Sequence, residues 1–297
     1  MLSCGMSRTI SIVGAGRVGT ALARRLRALG WRIGAVVTRS QATSWAAVRK
    51  VGAGRPLSHL SPEVLAADVV LLATPDTALE AVAGALAQMG RRACRGKIIL
   101  HTSGALGSGV LAPLARCGAA TGSLHPMQTF SGHGTPRLVG VVFAVEGDPK
   151  ALRLAQEMAR SLGGTPVTIA GSAKPAYHAA GVLVAGHALA LVEAGVQTLM
   201  RIGFSRRRAM ETLLPLMRQM LDNFEHLGPR AAWTGPVARG DYPTVVRHVR
   251  ALRRYPPEFR RAYAALALLG GRLLSKKPAE TLARIERALK DSGGGSL

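Results

Sequence analysis

A glycine-rich loop lies near the start of the chain, between an apolar run and a helical pattern. The run TISIV leads into GAGRVG, and apolar residues recur at helical spacing from there to Gly30. Glycines at G-x-G-x-x-G spacing allow a tight turn, and they let a pyrophosphate approach the N-terminus of the helix that follows. We therefore predict a dinucleotide site formed by Gly14, Ala15, Gly16, Arg17, Val18 and Gly19.

The order of the elements predicts two domains. Up to about residue 170, buried strand signals alternate with helical ones, as in a doubly wound parallel sheet. After Gly171 the strand signals stop, and the remaining segments have helical spacing. The predicted fold is α/β, with an N-terminal Rossmann domain (residues 1–170) followed by an all-helical C-terminal domain (171–297). The helices are predicted at Lys174–Ile202, Ser205–Leu227, Tyr242–Arg254, Pro257–Leu274 and Pro278–Lys290.

The end of the second predicted strand selects the cofactor. An acid at this position usually holds the ribose hydroxyls of NAD, but the first carboxylate in this chain is Glu63. The strand ends instead at Thr38, Arg39 and Ser40, which offer a guanidinium fork and two hydroxyl groups. These residues favour NADP(H), with its 2′-phosphate against Arg39. Alternatively, Arg39 stacks on the adenine.

Polar residues also follow three other strand signals. Because ligands bind outside the carboxyl ends of the strands in such sheets, these residues are candidates for a site. We assign Thr74, Pro75, Asp76 and His101 to the cofactor and Thr102, Ser103 and Gly104 to a substrate, with Ser103 and His125 also catalytic. The alternative is that each histidine makes a structural hydrogen bond in a loop.

Lys174 and His178 begin a segment that is otherwise small and apolar. Their spacing of four residues places both side chains on one face of a helix, and Pro175 suits its first turn. Both are therefore candidates for a functional site. The alternative is a solvated lysine that packs little, beside a histidine in the core.

The string TGPVARGDYPTVVRH is the most distinctive in the helical half. Its glycines and proline predict a loop over residues 234–241, after which Asp241 caps a helix. Arg239 is a candidate for binding a substrate carboxylate in bidentate fashion. A surface arginine without such a role is the alternative.

The formal net charge of +23 invites comparison with nucleic-acid-binding proteins. The excess is spread evenly, with +12 in residues 1–170 and +11 in the remainder, and Arg outnumbers Lys by 32 to 7. We find no zinc-finger, RNP-like or basic-zipper pattern, so specific nucleic-acid binding is not expected. The charge should still attract anionic small molecules.

Location and assembly are also addressed by the sequence. We identify no secretory signal and no apolar run long enough to span a membrane. Cys4, Cys94 and Cys117 suggest neither disulfides nor a metal site, so a cytoplasmic protein is expected.

The string AAGVLVAGHALALVEAG is apolar on nearly every side, and such a helix must be buried on every side. We therefore predict a homodimer that pairs these helices.

Six strings together resemble one family from about Arg8 to Leu274. That family is the largely uncharacterised group of Rossmann-like proteins with a C-terminal helical domain of unknown function. It is similar to NADP-dependent reductases of the pyrroline-5-carboxylate, ketopantoate and 6-phosphogluconate groups, and its HPM string is similar to that of prephenate dehydrogenases. The strings are GAGRVGTALA, ATPD, HTSGA, GSLHPMQTF, KPAYHAAGV and TGPVARGD.

The resemblance implies a role for the start of the long helix. In the β-hydroxyacid dehydrogenase relatives, a lysine opens this helix and an asparagine follows one turn later, both facing the nicotinamide. Lys174 resembles that lysine, whereas His178 stands in place of the asparagine. The resemblance implies that both are catalytic and line the substrate cleft. We predict an NADP(H)-dependent oxidoreductase acting on a small, anionic carbonyl substrate, such as a ketopantoate-like keto acid. The alternatives are a pyrroline-5-carboxylate-type imine reductase, a non-catalytic NADP-binding sensor and a basic nucleic-acid-binding protein.

Overall fold

The computed structural model describes residues 8–132, 134 and 136–292. Cys4 lies outside this part of the chain. The chain forms two compact units, which meet in sequence between Gly186 and His187. This division falls 16 residues after the predicted boundary at 170/171, because the first helix of the predicted helical domain packs in the first unit.

The first unit is built on an eight-stranded sheet of order β3-β2-β1-β4-β5-β6-β7-β8. Its central strands are buried on both faces, as expected for a sheet covered by helices. The predicted α/β class is confirmed, and the short β3 is a strand that we did not predict. The strands are β1 (Thr9–Val13), β2 (Arg32–Val37), β3 (Arg55–Leu57), β4 (Val69–Leu72), β5 (Ile98–His101), β6 (Ala120–Pro126), β7 (Val142–Gly147) and β8 (Thr165–Thr168).

The sheet is mostly parallel rather than fully parallel, which corrects the prediction. β7 pairs with β6 antiparallel, with His125 opposite Ala144. A parallel neighbour needs a crossover on one face of the sheet, usually through a helix. No helix occurs in the described part of the segment between Pro126 and Val142, so the chain returns beside β6 in the opposite direction.

Helices cover both faces of the sheet. One buried cluster includes Leu22 and Leu26 beneath the first helix, and a second includes Leu79 and Leu86 beneath the third. Both clusters contain strand residues, so the sheet lies between two apolar layers. The helices of this unit are α1 (Arg17–Ala28), α2 (Gln41–Val51), α3 (Asp76–Ala87), α4 (Arg91–Cys94), α5 (Ala112–Arg116), α6 (Pro149–Ser161) and α7 (Lys174–Val182).

The second unit consists of helices and their connecting loops, with no strand in its described part, as predicted. The predicted loop before Tyr242 is also present, and the Asp241 carboxylate accepts the Thr244 backbone N–H at 3.2 Å, which confirms the predicted cap. The helices are α8 (Ala188–Arg201), α9 (Arg206–Leu227), α10 (Pro229–Ala232), α11 (Tyr242–Ala251), α12 (Pro257–Leu274) and α13 (Pro278–Asp291).

The helix predicted from Lys174 to Ile202 is continuous but not regular. A π-helical turn, Leu183–His187, separates α7 from α8, and the two units divide at its end. Over Gly171–Arg201 this helix is long and apolar enough to cross a membrane, with a mean hydropathy of 1.7 in its best window. The expectation that no segment passes this test is wrong, because Pro175–Val192 contains no Asp, Glu, Lys or Arg.

Candidate functional site

The glycine loop forms a turn between β1 and α1. Gly14 has φ +88°, and a Cβ at this residue would lie 2.6 Å from the Thr74 backbone nitrogen. A Cβ at Gly19 would lie 2.5 Å from the Gly14 carbonyl oxygen, so this glycine permits close packing of α1 on the loop. At Gly16 a Cβ would meet no described atom within 4 Å. The loop is therefore closed on its inner side and open at the helix N-terminus.

The other residues of the loop have separate places. The Ala15 carbonyl oxygen accepts the Thr20 hydroxyl at 2.9 Å, which fixes the first turn of α1. Val18 packs against the buried cluster on its face of the sheet. Arg17 is exposed, and its side chain would lie 3.4 Å from a Cβ at Gly132. The N-terminus of α1 carries no acidic residue and no side-chain cap among the described atoms, so its N–H groups are free to bind an anion.

Three hydroxyl groups cluster where β2 ends and α2 begins. The Thr43 hydroxyl lies 2.7 Å from that of Thr38 and 2.9 Å from that of Ser40. The Ser40 hydroxyl also accepts the Thr43 backbone N–H at 3.3 Å and so caps α2. Arg39 is exposed and forms no ion pair with any described carboxylate. Three hydroxyls thus lie at a helix N-terminus without acidic residues in its first turn, next in sequence to the exposed Arg39.

The end of β4 lies against the glycine loop. Thr74 follows the strand, and its hydroxyl is buried without a partner among the described atoms. Pro75 precedes α3, and Asp76 is the first residue of that helix. An unsatisfied buried hydroxyl costs free energy, so a ligand that bonds to it gains affinity.

A row of buried polar side chains crosses the sheet beside this edge. His101 of β5 pairs in register with Ser123 of β6, which pairs with Glu146 of β7. Residues paired in register point to the same face of a sheet. The Glu146 carboxylate accepts both the backbone N–H and the hydroxyl of Ser108, at 2.7 and 2.8 Å. This row fixes the loops that follow the strands.

Lys174 reaches this row from the first turn of α7. Its side chain is 0% exposed, and its Nζ donates to the Ser123 hydroxyl at 2.8 Å. The reading of a solvated lysine that packs little is therefore wrong. Burial lowers the pKa of Lys174 to about 8, although the charges of Glu146 and Asp76 raise it. The lysine holds α7 against the end of the sheet.

His125 and His178 face each other above the row. Their ring centroids lie 5.8 Å apart in an edge-to-face arrangement, and the Tyr177 ring lies 5.6 Å from His125. A Cβ at Gly104 would lie 2.6 Å from both His125 Nε2 and His178 Cδ2, so only glycine fits there. Both histidines are half-buried. The structure thus brings together His125, His178 and Gly104, and their role in a substrate cleft stays a prediction.

His101 and His125 are held in their neutral forms. Burial, followed by the charge of Lys174, lowers the pKa of His101 to about 3 and that of His125 to about 4. The Nδ1 of His101 accepts the Ser103 backbone N–H at 3.2 Å, so its proton resides on Nε2. Neither His101 Nε2 nor His125 Nδ1 has a described hydrogen-bond partner. Near neutral pH both imidazoles are therefore uncharged hydrogen-bonding groups.

The remaining predicted site residues lie in several places. The Ser103 hydroxyl accepts the backbone N–H groups of Ala105 and Leu106 at 3.1 and 2.9 Å, which closes a turn. Thr102 is half-buried beside it. Arg239 belongs to the second unit, and its assignment to the substrate stays a prediction.

Sequence reasoning missed four residues of the site: Ser123, Glu146, Tyr177 and Thr43. Ser123 precedes His125 by two positions on one strand, so both point to the same face. Glu146 is a lone acid in the apolar run VVFAVEG. Both signals were present, but their partners become evident only from the strand pairing. Among the described residues no group of three His, Cys, Asp or Glu side chains could hold a metal ion.

Solved structures share this fold over most of their length. The chain is 23% identical to a protein of Bacteroides fragilis assigned as an NADP oxidoreductase, with a TM-score of 0.70, covering 88% of this chain and 96% of that one. It is 14% identical to 1-pyrroline-5-carboxylate reductase of Streptococcus pyogenes (TM-score 0.58; 96% and 98% covered). A reductive aminase of Aspergillus terreus, solved with NADPH and ethyl-5-oxohexanoate, is 16% identical (TM-score 0.58; 98% and 96% covered). At these identities the likeness shows a common fold.

Family models divide the chain in agreement with the resemblance described above. Residues 5–126 match the Rossmann-like domain, and residues 141–269 match a domain of unknown function, DUF2520. No match is found among curated proteins. The chain therefore combines a Rossmann-like domain with a DUF2520 domain.

Proposed function

We propose that the chain is an NADP(H)-dependent oxidoreductase that transfers hydride between the nicotinamide and the carbonyl group of a small, anionic substrate such as a keto acid. The observation that carries this proposal is the glycine turn, which is closed at Gly14 and Gly19 and open at Gly16. One similar structure is described as an NADP oxidoreductase, and another, a reductive aminase, was solved with NADPH. Both support the choice of cofactor.

The residues present fit this cofactor. The free N–H groups of α1 would hold the pyrophosphate, and the unpartnered Thr74 hydroxyl would lie beside the same site. Arg39 would bind the 2′-phosphate, together with the hydroxyls of Ser40 and Thr43 at the start of α2. When bound, the cofactor supplies the hydride.

His125 and His178 would meet the reacting group of the substrate. Because His125 is neutral, it can donate or accept one hydrogen bond and so orient the carbonyl. His178 would hold the proton that the reacting oxygen takes up, since its ring faces His125 across Gly104. Lys174 would act from beneath, through its charge and its bond to Ser123, because its side chain is fully buried. Ser103, Thr102, His101 and Arg239 stay candidates for binding.

Reduction of an imine is the second candidate. Two of the similar structures are described as a 1-pyrroline-5-carboxylate reductase and a reductive aminase, and 1-pyrroline is a cyclic imine. Hydride addition to an imine carbon and to a carbonyl carbon requires the same placement of nicotinamide and proton donor. The substrate therefore distinguishes the two candidates.

We also propose a homodimer. Several leucines and valines of the π-helical turn, α8 and α9 are exposed, among them Val184 (77%), Leu189 (70%) and Leu216 (67%). Large exposed apolar patches mark interaction sites. A second copy of the same helices would cover them. The cytoplasmic location stays a prediction.

The test begins with cofactor binding and continues with turnover. Titration should show that NADPH binds more tightly than NADH. Loss of NADPH absorbance should then identify the substrate class in a panel of 2-keto acids and cyclic imines. His178→Ala should lower turnover by roughly a hundredfold, the usual scale for an acid–base group, with NADPH affinity unchanged. His187→Ala, an exposed histidine on the same helix, is the control and should keep full turnover.

Two results would contradict the proposal in different ways. Tight NADPH binding without turnover of any carbonyl or imine would favour a non-catalytic NADP-binding sensor. Failure to bind either dinucleotide would remove the cofactor assignment itself.

A further inference from the structure

A groove of about 680 Å³ lies in the second unit, between α11 and α13. Four of its lining side chains are arginines, namely Arg247, Arg250, Arg284 and Arg287, and one is the acid Asp291. The groove therefore concentrates positive charge in a concave surface. Neither the glycine loop nor the histidine pair uses it.

The arginines are arranged as two matched pairs. Arg247 and Arg250 are three residues apart on α11, and Arg284 and Arg287 are three residues apart on α13. Residues at this spacing lie on the same face of a helix. Val245 and Ile285 belong to the buried cluster of this unit, so the two helices that carry the pairs share an apolar core. The four guanidinium groups thus stand on a packed scaffold.

Most of this positive charge is not opposed by a direct ion pair. Arg284 pairs with Glu280 at 2.8 Å. The other contacts are to neutral groups, because Arg250 donates to the Asp291 carbonyl oxygen at 3.0 Å and Arg247 donates to the Thr244 hydroxyl. Arg287 has no partner among the described residues. These contacts hold two guanidinium groups in place without neutralising them.

We propose that this groove binds a small molecule that carries two or more phosphate groups. Guanidinium forks bind phosphate oxygens in pairs, and two pairs of forks suit two neighbouring phosphates. The volume lies within the range of small-molecule sites, about 300–1,000 Å³. A high arginine content explains scattered surface charge, but it does not explain matched pairs on two packed helices around one concavity.

Calorimetry with inorganic pyrophosphate and tripolyphosphate on the full chain tests the proposal. At about physiological salt, each should bind at least tenfold more tightly than sulfate, which offers one tetrahedral anion. The variant Arg247→Ala/Arg287→Ala should lose this binding, and Arg287→Ala alone should weaken it. Arg218→Ala/Arg230→Ala removes the same charge from exposed positions outside the groove and should bind as the parent does. Thermal melting confirms that each variant is folded.

Several outcomes would overturn the proposal. Equal weakening in both double variants would mean that binding follows net charge alone, and pyrophosphate no tighter than sulfate would mean that no site exists. Tighter binding of duplex DNA, lost in the groove variant, would assign the surface to nucleic acid. Loss of NADPH binding in the groove variant would make the groove part of the cofactor site. Retained NADPH binding with lost pyrophosphate binding supports a separate site.

Discussion

The two units differ in how completely they bury their apolar side chains. In the first, strand residues such as Ile12, Leu71 and Leu100 are 0% exposed. In the second, α8 and α9 are described in full, and each buries a single residue, Val196 and Ala209. The sheet of the first unit completes its core within one chain, whereas α8 and α9 of the second unit leave apolar faces open. This difference supports the two proposals made above, a ligand site on the sheet unit and a second copy of the chain that covers α8 and α9.

The largest expected effect concerns those open faces. Leu189→Glu/Leu216→Glu should convert a dimer of 31.1 kDa chains into monomers, because two buried charges at an apolar interface cannot be paired. Light scattering measures the mass. Leu29→Glu, at an exposed leucine of the first unit, is the control and should leave the dimer intact.

If the parent protein is monomeric, the proposed dimer through α8 and α9 is wrong. Sedimentation of the parent with lipid vesicles would instead indicate that a membrane covers the apolar faces.

The second prediction concerns Lys174. Its folded pKa of about 8 lies below the value of 10.5 for an ordinary lysine, so between these pH values the unfolded chain binds more protons. The stability of the parent should therefore rise with pH across this window, by roughly 3 kcal/mol relative to Lys174→Met. Urea unfolding at several pH values measures the difference.

Lys150→Met, at an exposed lysine of the first unit, is the matched control. Its free energy of unfolding should depend on pH as that of the parent does. If the free energy of unfolding of Lys174→Met also depends on pH as that of the parent does, the Lys174 ammonium is not held in the dry environment that the structure shows.

The third prediction compares the two ends of β2. Arg39→Ala should weaken NADPH binding by about tenfold, or about 1.4 kcal/mol, and should leave NADH unchanged. Arg32→Ala, at the other end of the same strand, should change neither affinity. Fluorescence titration measures both, and equal losses for NADPH and NADH would support stacking of Arg39 on the adenine.

The smallest expected effect is found on comparing two helix caps, Asp241 of α11 and Ser40 of α2. Asp241→Ala should cost about 1 kcal/mol of stability, since it removes the bond to Thr244, and it should not change NADPH affinity. Ser40→Ala should cost a similar amount and should also weaken NADPH binding. Asp222→Ala, at an exposed position within α9, controls for loss of charge. A stability loss from Asp222→Ala as large as that from Asp241→Ala would remove the cap as its cause.

Local patterns in the sequence predicted the elements well. The glycine spacing identified the turn at Gly14, and apolar runs identified every strand of the sheet except β3. That strand is three residues long and is held by its register with β2, which no local pattern encodes. The antiparallel direction of β7 was missed for a similar reason, because direction depends on how the connecting segment returns.

The sequence by itself determined the order of strands and helices, the glycine turn and the cap at Asp241, because each depends on residues close together along the chain. Tertiary structure alone decided the burial of Lys174, the row from His101 to Glu146 and the pairing of His125 with His178. These depend on strand register and on the packing of α7, which bring together residues as far apart in the sequence as His125 and His178. Burial then set the pKa values of these groups, because the cost of a charge depends on the surrounding atoms rather than on the neighbours in sequence.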